Sequence, residues 1–178
     1  MAIRPIVCIP DPRLREVSGP VEAVDDGVRR LMDDMLETMY HAPGIGLAAP
    51  QVGILRRVIV LDVAREGEPP QPYCLANPEI EWVSGEDAGH EEGCLSLPEH
   101  YAEVIRPARV RVAYRDRDDE LRKLEADGLL ATCVQHEIDH LDGILFVDHV
   151  SALKRNMILR KLLKAKKTGK LPEPAAAE

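Results

Sequence analysis

The chain has 178 residues, 45% hydrophobic and 30% charged, with a net charge of −8. These figures fit one folded unit and exclude a disordered, fibrous or generally nucleic-acid-binding chain. No apolar run reaches the ~20 residues of a membrane span. Residues 1–5 lack the basic-then-apolar pattern of a signal peptide, so a cytoplasmic protein with no membrane association is expected.

Only six residues are aromatic. The core is therefore predicted to be aliphatic, and neither stacking platforms for single strands nor specific DNA binding is expected. Cys8, Cys74, Cys94 and Cys133 form no CxxC pair and are expected to be thiols, mostly acting as small buried hydrophobes.

Residues 3–8 are apolar and predict a short strand, followed by a loop punctuated by Asp11-Pro12 and Gly19-Pro20. Residues 25–42 predict a helix. Val28, Leu31, Met32, Met35, Leu36 and Met39 recur at helical spacing, and Pro43-Gly44 ends the pattern. This stripe reads as core, with a binding surface as the alternative. Strands are predicted at 58–63, 73–76 and 80–83, with a polar turn over 66–72. Val110, Val112 and Tyr114 alternate with arginines, predicting a half-buried strand; 116–120 reads as a turn and 121–124 as its hairpin partner.

Gly128–Leu141 predicts a second helix, with Asp127 as N-cap and Gly143 just past its end. Ser151 caps a predicted third helix running to about Lys167. Residues 151–170 hold eight Lys/Arg and no acid, whereas residues 1–150 hold 15 Lys/Arg against 29 Asp/Glu. That segment either docks on a polyanionic partner or is a solvated helix whose cations suit its C-terminal dipole. Residues 1–170 are expected to form a single catalytic domain, and the Pro/Ala-containing tail 171–178 to be disordered. Strands in hairpin runs rather than βαβ alternation predict an α+β fold with antiparallel sheets.

The strongest chemical signal is His136-Glu137-Ile138-Asp139-His140, an HExxH. Residues four apart share a helix face, so both imidazoles can reach one metal ion, and Glu137 is placed to act as a general base. The pattern arises by chance in roughly 2% of chains of this composition. A catalytic metal usually takes a third protein ligand. Asp142, Asp148 and His149 lie downstream in no recognisable third-ligand pattern. Cys94, in Glu92-Gly93-Cys94-Leu95-Ser96, is the better candidate, unless it is simply a small buried residue. Gly44-Ile45-Gly46-Leu47-Ala48-Ala49-Pro50-Gln51 lacks the lysine and spacing of a phosphate loop; its small residues suit close approach of a peptide backbone, and Gln51 either aims its amide into a site or is solvated.

GIGLAAPQ (44–51), EGCLS (92–96) and HEIDH (136–140), in this order, resemble the three motifs of the peptide deformylases (bacterial type), and the resemblance runs from about Ile3 to about Lys166, including Asp11–Arg15 and Leu124–Leu130. It implies antiparallel sheets packed around a central helix carrying the HExxH, with an N-terminal amphipathic helix and a basic C-terminal helix. It implies a metal-dependent hydrolase that removes the formyl group from the N-terminal formylmethionine of new proteins and releases formate. A metal-bound water would be the nucleophile, with Glu137 as general acid/base.

The same resemblance implies Cys94, His136 and His140 as metal ligands, with Fe²⁺ expected and Zn²⁺, Ni²⁺ or Co²⁺ as substitutes. It places Gln51 and the Leu95 N–H at the formyl oxygen and Gly46 beside the active site. Ile45 and Gly93 would pair with the peptide, and Leu129 and Cys133 would line the methionine pocket. His90 and Tyr101 depart from the family pattern, in which an aliphatic residue and an arginine are usual, and bear on the outer peptide subsites. The implied partners are N-formylmethionyl nascent peptides and, through the 151–170 helix, the ribosome. The competing expectations are an HExxH zinc metalloprotease and an inactive ribosome-associated binding module.

Overall fold

The computed structural model describes residues 2–65 and 67–170, and the expected tail 171–178 lies outside them. Helix α1 spans Asp26–His41, and Asp25 caps it by accepting from the Val28 N–H at 2.8 Å. Its buried face (Val28, Leu31, Met32, Met35, Met39) packs in one cluster with Leu47, Val58 and Val60. Those three belong to strands β1 (Gly46–Ala48) and β2 (Val58–Leu61).

Strands β1 and β2 join β3 (Tyr73–Val83), β6 (Arg109–Arg115) and β7 (Leu121–Asp127) in a five-stranded antiparallel sheet of order β1-β2-β3-β6-β7. The two strands expected around Asn77-Pro78 are one strand, with register shifts against β6. Asn77 has φ +49° and holds the chain before α1 by exchanging hydrogen bonds with the Val21 backbone at 2.8 and 2.9 Å. The strand expected at 58–63 ends at Leu61, and β7 runs on to Asp127.

Strands β4 (Asp87–Cys94) and β5 (Leu97–Pro107), which the sequence reading did not predict, form a separate two-stranded sheet. Residues 3–8 are not a strand, a correction to the expectation. The segment makes single bonds to two different neighbours, Val7 N–H to Gln51 O (2.7 Å) and, just beyond it, Ile9 N–H to Ser96 O (3.0 Å), rather than a ladder.

Helix α2 (Gly128–Leu141) is buried along most of its length. Ala131, Cys133, Val134, Ile138 and Leu141 pack with Ile59, Leu61, Leu75, Val110 and Val112 of the large sheet. Each Val, Leu or Ile among them contributes ~1.5–3 kcal/mol by leaving water. Asp127 makes no side-chain cap bond at its N-terminus, where Gly128 takes φ +51°. Gly143, at φ +71°, turns the chain after the helix.

A 3-10 turn, Phe146–His149, leads to α3 (Ala152–Lys167), capped by Ser151, whose hydroxyl accepts from the Lys154 N–H. Only Ile158 and Leu162 of α3 are buried, against Leu14, Phe146 and the inner face of β5. No helix among the described residues is long and apolar enough to cross a membrane.

Candidate active site and metal centre

Two elements that are distant in sequence meet at the site. Cys94 ends β4, and His136 and His140 stand one turn apart on α2. One donor atom from each lies within 4.8 Å of the other two. Cys94 Sγ is 3.3 Å from His140 Nε2, and the two imidazole centroids are 5.0 Å apart.

The surroundings orient these ligands. His136 Nδ1 bonds Glu92 Oε2 at 2.9 Å, which leaves Nε2 for the centre. Arg106 on β5 grips both oxygens of Glu92, at 2.6 and 3.0 Å, and Phe146 stacks on the His136 ring at 6.2 Å. Burial opposes ionisation of Glu92, but its contacts to His136 and Arg106 prevail and hold it down at about 2. Burial likewise opposes protonation of His136, and its contacts with Cys94 and Glu92 outweigh that and raise it. His140 is held well below the usual histidine range by burial and then by His136.

A thiol and two imidazoles form the soft-to-borderline donor set that suits zinc or iron(II). A metal held by three protein ligands would have room for water or substrate. The carboxylate of Glu137 completes the case. It is buried, its Oε2 has no hydrogen-bond partner among the described residues, and burial pushes it up to about 7 against the opposing pull of His136. A carboxyl poised near neutrality can both take and give a proton. The residues present therefore fit a bound divalent metal.

The cleft beside this cluster has a volume of about 460 Å³. All eleven residues singled out from the sequence fall in or beside it. Gln51, buried in a 3-10 turn, accepts from the Ala48 N–H at 2.9 Å and points its amide NH₂ at Ser96 Oγ (3.2 Å) and Cys94 Sγ (3.5 Å). Ile45, Gly46, Gly93, Leu95, Leu129 and Cys133 line the walls. The Ile45 carbonyl already accepts from the Asp62 N–H (2.9 Å) and the Cys133 thiol (3.4 Å). Burial raises Cys133 well above the usual thiol range, and its thiol turns to the Ile45 carbonyl, apart from the convergent Cys94, His136 and His140 donors. A Cβ on Gly93 would lie 2.5 Å from the Tyr101 ring, so a side chain there would push that exposed ring aside.

Sequence reasoning missed Glu92, Arg106 and Thr132. Glu92 and Arg106 carry charge into the interior, where they pair with each other across a hairpin and with His136 and Asp139. Thr132 lines the cleft one helical turn before His136.

A helix presenting two imidazoles and a buried carboxyl to a strand-borne thiol, beside an open cleft, has the donor set and the acid–base group that a metal-dependent hydrolase requires. Comparison narrows the class. The sequence model of the polypeptide deformylase family matches residues 3–156. Peptide deformylase of Methylocella silvestris is 62% identical over 170 residues, covering 94% of this chain and 87% of that protein. The Rhizobium meliloti peptide deformylase is 57% identical over 168 residues, covering 94% and 97%.

Among solved structures, peptide deformylase from Ehrlichia chaffeensis superposes with a TM-score of 0.89 at 41% identity, covering 94% of this chain and 99% of that one. The Ehrlichia protein in complex with actinonin gives 0.88 at 43%, covering 94% and 98%. The chain belongs to the polypeptide deformylase family and is an enzyme, an amidohydrolase of linear amides.

Proposed function

We propose that residues 1–170 act as one catalytic unit that hydrolyses the formamide of N-formylmethionyl peptides in the cytoplasm, releasing formate and a free amino terminus. The observation that carries this reading is the convergence of Cys94, His136 and His140 beside Glu137, whose Oε2 has no hydrogen-bond partner among the described residues. These three residues would hold the metal. Iron(II) is the ion the family resemblance favours, with zinc, nickel or cobalt as substitutes. Bound there, it supplies Lewis-acid chemistry, polarising the formyl oxygen and making water a nucleophile at neutral pH.

Glu137 takes a proton from the attacking water. As the C–N bond breaks, it gives that proton to the departing amine. Gln51 Nε2 and the Leu95 N–H meet the negative charge that grows on the formyl oxygen. The peptide lies extended between Ile45 and Gly93. Because the Ile45 carbonyl is already engaged, its N–H is the group left to pair with substrate. The methionine side chain enters between Leu129 and Cys133. Small size at Gly46 keeps the wall beside Glu137 open.

The basic α3 faces solvent with Lys154, Arg160, Lys161, Lys164, Lys166 and Lys167. It would dock the enzyme on ribosomal RNA near emerging substrates. The test is an anaerobic assay on formyl-Met-Ala-Ser against unformylated Met-Ala-Ser-Lys. Formate release from the first and no cleavage of the second is expected. Endopeptidase activity without formate release contradicts the reading.

A further inference from the structure

Asp139 is the one polar residue of the HEIDH segment that the reaction leaves without a task. Its Oδ2 lies 2.8 Å from Arg106 Nη1 and 2.7 Å from His149 Nε2. Arg106 in turn grips Glu92, which takes the His136 Nδ1 contact. One continuous hydrogen-bonded path thus runs from the surface residue His149 through Asp139, Arg106 and Glu92 to a metal-facing imidazole. It joins the 3-10 turn, α2 and the β4–β5 hairpin, which local sequence does not bring together.

A buried guanidinium between two carboxylates is a poor source of stability, because desolvation offsets most of the attraction. Its forked geometry is instead well suited to fixing orientation. The turn that supplies His149 also supplies Phe146, stacked on His136. The same short element therefore braces the imidazole on one face and, through the charged path, at its Nδ1.

We propose that Asp139 and His149 are positioning residues for metal capture. Acting through Arg106, they hold Glu92 where it accepts the hydrogen bond of His136 Nδ1–H, so that Nε2 is the nitrogen turned toward Cys94 and His140. This rests on the metal-centre reading above. Neither residue touches the metal position or the substrate cleft.

The test uses the full chain with Asp139→Asn, His149→Ala and His149→Gln. Two quantities are read: the Co²⁺ dissociation constant by chelator competition, and the His136 tautomer (which ring nitrogen keeps its proton) from long-range ¹H–¹⁵N spectra of the imidazoles in Zn²⁺-loaded protein. Asp139→Asn is expected to weaken Co²⁺ binding on the order of 10-fold and to mix the His136 tautomers. His149→Ala should move both in the same direction by a smaller factor. His149→Gln, whose amide can still donate to Asp139, should restore them.

Loss of thermal stability with unchanged Co²⁺ affinity and an unchanged tautomer would overturn the positioning role and leave the metal centre standing. Wild-type protein that binds no Co²⁺ would overturn the metal-centre reading itself, and the proposal with it.

Discussion

Gly46 and Glu137 touch across the gap between β1 and α2. A Cβ built on Gly46 would lie 2.9 Å from Glu137 Cδ and 2.8 Å from Cys133 Sγ, and closer still to Glu137 Oε1. Only a residue without a side chain lets the strand run against the carboxylate that the proposed chemistry needs. Gly46→Ala must therefore displace Glu137. Turnover of a formyl-Met peptide should fall ~10²-fold, as expected for a misplacement of about 1 Å. Metal content should stay at the wild-type value, because no ligand adjoins Gly46. Steady-state kinetics with parallel metal quantification checks both.

Glu137 gives a pH prediction for metal-free protein. Its carboxyl is raised from 4.5 to about 7 by burial, so the folded state keeps the proton that the unfolded chain has already released. Folding stability from this residue is full below about pH 4.5, declines as pH rises toward 7, and is then level. The whole decline amounts to about 3 kcal/mol. In Glu137→Gln that decline should vanish. Urea unfolding at pH 5 and pH 7.5 should show the variant gaining on wild type by this order as pH rises. An equal difference at both values would contradict the assignment.

Gln51 is held from behind by the Ala48 N–H, and its NH₂, which rests against Ser96 Oγ and Cys94 Sγ, faces the cleft where charge would grow on a substrate oxygen. Gln51→Ala should lower kcat ~10²–10³-fold, the usual cost of removing one preorganised donor. Bound metal should remain stoichiometric. A variant with wild-type kcat would remove the oxyanion role.

Helix α3 cannot be tested cleanly by deletion, since Ile158 and Leu162 pack on Leu14 and Phe146. Reversing exposed charges avoids that difficulty. A Lys154→Glu, Lys161→Glu, Lys164→Glu triple variant should keep peptide turnover and lose ribosome co-sedimentation. Wild-type association should itself weaken as salt rises. Salt-independent association, unchanged in the triple variant, contradicts electrostatic docking.

The parts that sequence revealed and those that it hid differ for physical reasons. Helix α1 shows its apolar stripe at helical spacing because one face meets the core and the other meets water. The α2 imidazoles are visible because a metal pair on a helix needs spacing of four. Strand β5 was hidden although it alternates strictly. Its inward residues are Ala102, Val104 and Arg106 and its outward ones Tyr101, Glu103 and Ile105, so a buried arginine and exposed Tyr and Ile erase the hydropathy contrast. Strand β4 buries the charged Glu92 and is otherwise short of apolar residues.

The Glu92–Arg106–Asp139 path carries no local signature, because its members lie on three elements and pair only after folding. The union of Cys94 with the HExxH helix likewise became visible in sequence only through resemblance to a family. Spacing alone left Cys94 open to being a small buried residue.

The measurement closest to the central claim is X-ray absorption at the iron edge on protein purified anaerobically, with iron counted per chain. One iron per chain, in a shell of one sulfur and two imidazole nitrogens plus a light-atom ligand, is the expected result, with the sulfur lost in Cys94→Ser. A wild-type protein that holds no stoichiometric metal, or a bound ion whose shell contains no sulfur, would contradict the account.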